Sequence, residues 1–92
     1  MVVGVLTLEL FFPYARSLKD KRRILHGFKD RVRRHNVAVA EVDFQDKWQR
    51  ARLGVAAVNS QPSVVEETLG RVLADARNLP EAEIAGQEVR YV

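Results

Sequence analysis

An α+β fold, with two helices on one face of a four-stranded antiparallel sheet, is predicted by three features of this 92-residue sequence. Two stretches repeat their apolar residues at helical period, and four carry strand patterning. The elements alternate so that a central hairpin separates the two helices. A chain of this length is one domain, 1–92.

The first strand is VVGVLTLELFF, Val2–Phe12, with Leu6, Leu8, Leu10 and Phe12 on one parity. The odd residues Val3, Val5 and Thr7 then belong to the face without helices. Pro13 ends the strand, and Tyr14–Arg16 connect it to a helix. Ser17 is a natural N-cap, with Asp20 as its capping-box partner three residues on. The helix is expected to run to about His35, with Asn36 in a left-handed cap. Its apolar stripe is Leu18, Leu25, Phe28 and Val32, with Ile24 beside it.

VAVAEVDF (Val37–Phe44) and RARLGVAAV (Arg50–Val58) alternate as strands around the polar turn QDKW. A two-residue loop at Asp46–Lys47 sets Asp43 opposite Arg50 and Glu41 opposite Arg52, so that unlike charges face each other. Pro62 suits a first helical turn, and Ser63 with Glu66 forms an alternative capping box. The second helix buries Val65, Leu69, Val72 and Ala76. Glu67, Arg71 and Asp75 are spaced to pair on its outer side. Asn78 and Pro80 stop it, and AEIAGQEVRYV closes the chain as an edge strand. The resulting order, β-α-β-β-α-β, is the ferredoxin-like two-layer sandwich.

Composition narrows the function classes. Without cysteine, neither disulfides nor thiol chemistry are available. The apolar N-terminal stretch has no basic residue ahead of it and no cleavage site after it. It is too short to span a bilayer and carries Glu9. A cytoplasmic protein with no membrane association is expected. His26 and His35 lie nine positions apart, on opposite sides of the helix, so they cannot share a metal. Glu41, Asp43 and Asp46 are explained by cross-strand pairs and a turn rather than by a metal. The glycines match no phosphate-cradling motif, and the serines sit at caps. Neither an enzyme nor a cofactor is expected.

The charge is lopsided. Tyr14–Asn36 holds nine Lys or Arg and two acidic residues, whereas the rest holds six basic and ten acidic ones. Arg outnumbers Lys eleven to four, which favours forked contacts to phosphate or carboxylate. At 100° per residue from Leu25, Lys29, Arg22, Arg33, His26 and Lys19 fall at about +40° to +120°, a continuous rail beside the apolar stripe. Arg23 and Arg34 extend it toward the back. A helix about 28 Å long with such a flank can follow several phosphates. The competing reading is that long basic side chains rim the core and bury their stems. An RNA-recognition sheet needs aromatics on its central strands, and RARLGVAAV has none. Phe11, Phe12, Phe44, Trp48 and Tyr91 are expected mainly to pack, with Trp48 either anchoring an interface or covering the end of the core.

SLKDKRRIL, then VAVAEVD, then WQRARLGVAAVN, resemble in content and order the bacterial YlxP-like family of small proteins of unknown function. The resemblance covers almost the whole chain. It implies a ferredoxin-like fold, frequent dimerisation and no established enzymatic activity. It also implies a link to ribosomes or RNA, because genes of this family often lie beside translation and ribosome-maturation genes. No catalytic residues carry over. Ser17 to Arg22 is the most recognisable block and has no assigned role.

The first expectation is therefore a non-enzymatic homodimer that binds structured RNA in association with the ribosome. Its contacts are Lys19, Arg22, Arg23, His26, Lys29 and Arg33, supported by Arg16 and Lys21. The alternative is a homodimeric interaction or regulatory module that docks an acidic protein on the same surface. A third reading is a small-anion sensor near Ser17–Lys19. The dimer is expected to form through the bare sheet face or the last strand.

Overall fold

The computed structural model describes every residue from Met1 to Val92 and orders them β1 (Val2–Phe11), α1 (Leu18–Arg33), β2 (Ala38–Asp43), β3 (Arg50–Asn59), α2 (Pro62–Arg77) and β4 (Glu83–Tyr91). The strands form one antiparallel sheet in the order β2-β3-β1-β4, so β2 and β4 are its edges. This is the ferredoxin-like arrangement.

Alternation in β1 and β3 divides the sheet's two faces. Leu6, Leu8, Leu10 and Phe12 meet Leu53, Val55 and Ala57 on the helix side, all buried. Over them lie Ile24, Leu25, Phe28 and Val32 of α1 and Val65, Leu69, Val72 and Ala76 of α2. Gly4 sets how closely α2 approaches: a Cβ there would sit 2.5 Å from Val65 Cγ1 and 3.1 Å from Leu69 Cδ1. On the other face, Val3, Val5 and Thr7 pair with Val58, Ala56 and Gly54, and Ala38 and Ala40 of β2 continue the row. No helix covers that face.

Several local expectations shift. The hairpin register is not the one predicted: Asp43 pairs with Arg52 and Glu41 with Leu53. The cause is a bulge between Glu41 and Asp43, followed by Phe44 in the left-handed region at φ 64°. The turn is correspondingly longer than two residues. α1 ends at Arg33 rather than His35, because Arg34, His35 and Asn36 donate to the carbonyls three residues back and tighten the last turn. Asn36 does adopt the left-handed conformation, at φ 63°.

Ser63 lies inside α2, so it forms no capping box. Gln61 takes the N-cap position without a side-chain bond, and Pro62 opens the helix. Glu67, Arg71 and Asp75 do not pair with one another. Asp75 instead meets His35 at 2.7 Å, which ties the end of α1 to α2. Trp48 and Tyr91 do not pack away: they remain 52% and 53% exposed.

Candidate basic-helix site

Ser17 caps the basic helix as expected, whereas Asp20 reaches past the predicted capping box, to the Arg16 N–H rather than that of Ser17. Ser17 Oγ accepts from the Asp20 backbone N–H at 3.1 Å, and Asp20 Oδ2 accepts from the Arg16 N–H at 3.0 Å. The single acid of the first turn is thereby committed to the cap.

Lys21 leaves the predicted set. Its side chain is fully buried, so it cannot reach a phosphate. Its ammonium donates to Glu41 Oε2 at 2.9 Å, to the Phe44 carbonyl at 2.8 Å and to the Arg50 carbonyl at 3.1 Å. Three donors meet three acceptors, which is what lets a charge sit in a core. The acceptors come from β2, the bulged turn and β3, so Lys21 holds the β2–β3 hairpin to α1. The signal was present in the spacing: Lys21 falls at about −40° from Leu25, inside the apolar stripe.

The remaining predicted residues reach solvent. Arg16, Lys19, Arg22, Arg23, His26 and Arg33 are exposed, and Lys29 is half-buried. Asp30 takes up two of them, bonding Arg33 Nη1 at 3.0 Å and approaching His26 Nε2 to 3.4 Å. Arg16, Lys19, Arg22, Arg23 and Lys29 meet no carboxylate at ion-pair distance. Arg23 and Arg31 border a groove against Asn78–Glu81, on the α2 side of α1. By helical geometry, Arg22, Lys29 and Arg33 turn to the opposite side.

The cations of β3 are differently placed. Arg52 bridges Glu9, Nε to Oε1 at 2.9 Å, and Asp43, Nη1 to Oδ2 at 3.0 Å. Its guanidinium is held above the ordinary arginine pKa chiefly by the hydrogen bond to Glu9; desolvation opposes this, and the charges of Glu9 and Asp43 add smaller upward effects. Arg50 and Arg52 also lie over the Phe44 ring, at 4.2 and 5.0 Å from its centre.

At the hairpin tip, Trp48 stands beside Phe11, Leu18, Lys47 and Arg50 around a depression of about 520 Å³. Gln49 clamps this tip to the β1–α1 connection. Its backbone carbonyl accepts from the Phe12 N–H at 2.9 Å, and its amide donates to the carbonyls of Pro13 and Ala15 at 3.3 and 3.4 Å. No helix of the chain is long and apolar enough to cross a membrane.

Comparison with known proteins returns a family of unknown function and the same architecture. The family described as "Protein of unknown function (DUF503)" matches residues 3–89. The "Uncharacterized protein YlxP" of Bacillus subtilis (strain 168) is 40% identical over 83 residues, 89% of this chain and 90% of that protein. Among solved structures, "Structural Genomics, protein YJCS" superposes with a TM-score of 0.60 at 9% identity, covering 98% of both chains. The "De novo designed protein Foldit4" does so with a TM-score of 0.59 at 17% identity, covering 100% of this chain and 97% of that one. At these identities the likeness is one of fold alone.

Proposed function

The chain belongs to the DUF503 family of proteins of unknown function, and from that premise we propose that it is a non-enzymatic, cytoplasmic RNA-binding protein, associated with the ribosome, that grips phosphates along α1. One observation carries the reading: Lys19, Arg22, Arg23 and Lys29, with Arg16 at the helix entry, reach solvent without a carboxylate partner. A helix that merely rims a core gains from mixed signs at i,i+4 spacing. α1 carries only Asp20, used in the cap, and Asp30, shared by His26 and Arg33. Uncompensated cations spread over several turns favour a ligand with regularly spaced anions. Such contacts position a backbone and do not read bases, so binding is shape-led and falls steeply with salt.

The test is titration with ribosomal RNA fragments at several salt concentrations, using wild type and the triple variant Arg22→Glu, Lys29→Glu and Arg33→Glu. Wild type is expected to bind with a steep salt slope. The variant, with unchanged circular dichroism, is expected to lose about a thousandfold in affinity, in keeping with the loss of several phosphate contacts. Equal binding by both proteins removes the rail from consideration.

We also propose that the bare sheet face pairs with a second copy. Val3, Val5, Ala38, Ala40, Ala56 and Val58 lie together there, and Val58 is 55% exposed. Contiguous apolar surface of this kind favours burial against a like surface. Sedimentation equilibrium is expected to show a dimer that Val5→Lys with Ala56→Lys dissociates. A monomeric wild type at high concentration overturns this second proposal.

A further inference from the structure

We infer that the β2–β3 hairpin tip, with Trp48 as its platform, receives an unpaired nucleobase of the RNA whose phosphates follow α1. This rests on the reading of α1 as a phosphate-binding rail. The tip itself supplies four independent observations.

First, Trp48 is the largest apolar side chain in the chain and stands 52% exposed. Second, it faces a depression of about 520 Å³ that also holds Phe11 and two cations, Lys47 and Arg50, against one carboxylate, Asp46. An indole face with cations at its margin fits a flat aromatic ring that carries an anion, which is the chemistry of a nucleotide.

Third, the platform is held from two sides. Lys21 grips the carbonyls of Phe44 and Arg50 from the core, and Gln49 is bonded to the β1–α1 connection. A surface fixed before the ligand arrives loses little further freedom on binding. Fourth, the tip is continuous with the rail: Leu18, the first residue of α1, lines the depression, and Lys19 follows it.

The base must be unpaired, because bases inside a duplex present their faces to one another and not to protein. A π-face is common to all four bases, so the site tolerates sequence. Of the two central strands, β3 carries no aromatic and β1 only Phe11 at its end, which itself lines the depression; the hairpin tip takes over the stacking role. The ligand is thus a structured RNA with a looped-out or terminal nucleotide beside its phosphate-lined groove.

Trp48 is the only tryptophan, so its fluorescence reports the site directly. Four probes separate the possibilities: single-stranded oligoadenylate, an abasic strand of the same length, polyphosphate and poly-glutamate. Oligoadenylate is expected to quench Trp48, while the abasic strand and polyphosphate bind with little quenching. Trp48→Ala is expected to weaken oligoadenylate about tenfold, the scale of one lost base–aromatic stack, and to leave polyphosphate affinity unchanged. Trp48→Phe, which keeps a ring, is expected to recover part of the loss.

Equal affinity for the abasic and base-bearing strands, with no effect of Trp48→Ala, overturns the nucleobase site and leaves the rail standing. If poly-glutamate quenches as strongly as oligoadenylate, the tip docks acidic protein and the inference fails. A Trp48 emission shift on dilution without ligand assigns the tip to a second copy and overturns it too. If no polyanion binds at all, the rail fails first and this inference fails with it.

Discussion

α1 and α2 are each 16 residues long and lie on the same face of the same sheet, yet they are attached by different physics. α2 is seated by apolar contact. Val65 and Leu69 press onto the backbone at Gly4, and Pro62 starts the helix without any side-chain cap. α1 is seated by apolar contact plus one buried charge, Lys21, which spans to three acceptors in the hairpin. Their outer surfaces differ as well. Outside the buried Lys21, α1 carries six Lys or Arg and two Asp, whereas α2 carries two Arg and three acids. The shared fold therefore assigns one helix chiefly to packing and leaves the other a cationic flank that packing does not use.

The largest effect that bears on this contrast is expected at Lys21. Lys21→Ala strands Glu41 and two backbone carbonyls, and is expected to lower stability by about 3–5 kcal/mol in urea unfolding, the scale for breaking a buried ion pair. Lys21→Met is expected to be milder, because its side chain still fills the buried space of the Lys21 stem. A loss below about 1 kcal/mol for Lys21→Ala, the level of an exposed pair, would mean that α1 is held by apolar contact alone, as α2 is.

Next comes Gly4→Ala. Its methyl must displace Val65, a stiff β-branched side chain that is 1% exposed. Overpacking of this kind is expected to cost about 1–3 kcal/mol, read as a lower midpoint of thermal unfolding. A neutral result would show that α2 slides freely on the sheet.

A smaller effect is expected where the helices touch each other. His35→Ala removes the 2.7 Å contact with Asp75 and is expected to cost about 1 kcal/mol. Amide exchange should rise in the last turn of α1 and leave the sheet unaffected. Protection lost across the whole domain would instead make this contact part of the global fold.

The finest comparison sets one arginine of each helix against the other. Arg22→Ala is expected to reduce the salt slope of RNA binding by about 0.7–0.9, the share of one phosphate contact. Arg71→Ala, on α2, is expected to leave the slope unchanged. Equal losses would mean that the protein attracts RNA by overall charge and that α1 has no special part in it.

Much of this molecule was legible along the chain. The period-2 run of Leu6, Leu8, Leu10 and Phe12 and the helical spacing of Leu25, Phe28 and Val32 report burial directly, because an element with a wet face and a dry face must sort its residues that way. The Ser17 cap was equally plain, since its partner Asp20 is three residues distant. The hairpin register was not. Opposed charges suggested one alignment, but a bulge before Phe44 moved Asp43 onto Arg52. Within the candidate site, the exposed rail was readable from angles. The same angles put Lys21 in the dry stripe, where its charge misdirected the reading. The exposure of Trp48 had no local signal: QDKW marks a turn, and only the packing around a turn decides whether an indole folds under it or stands out.

What the sequence by itself determined is therefore the set of elements, their order, the two-layer sandwich and the concentration of positive charge on α1. Each of these follows from residues near one another in the chain, through periodicity, capping and composition. Tertiary structure alone decided which cations are free. Lys21 is taken up by acceptors 20, 23 and 29 residues away, of which Glu41 supplies the opposite charge, and Arg52 is paired with Glu9, 43 residues away. A charge loses its hydration only where several distant acceptors converge on it, and convergence is a property of the folded chain.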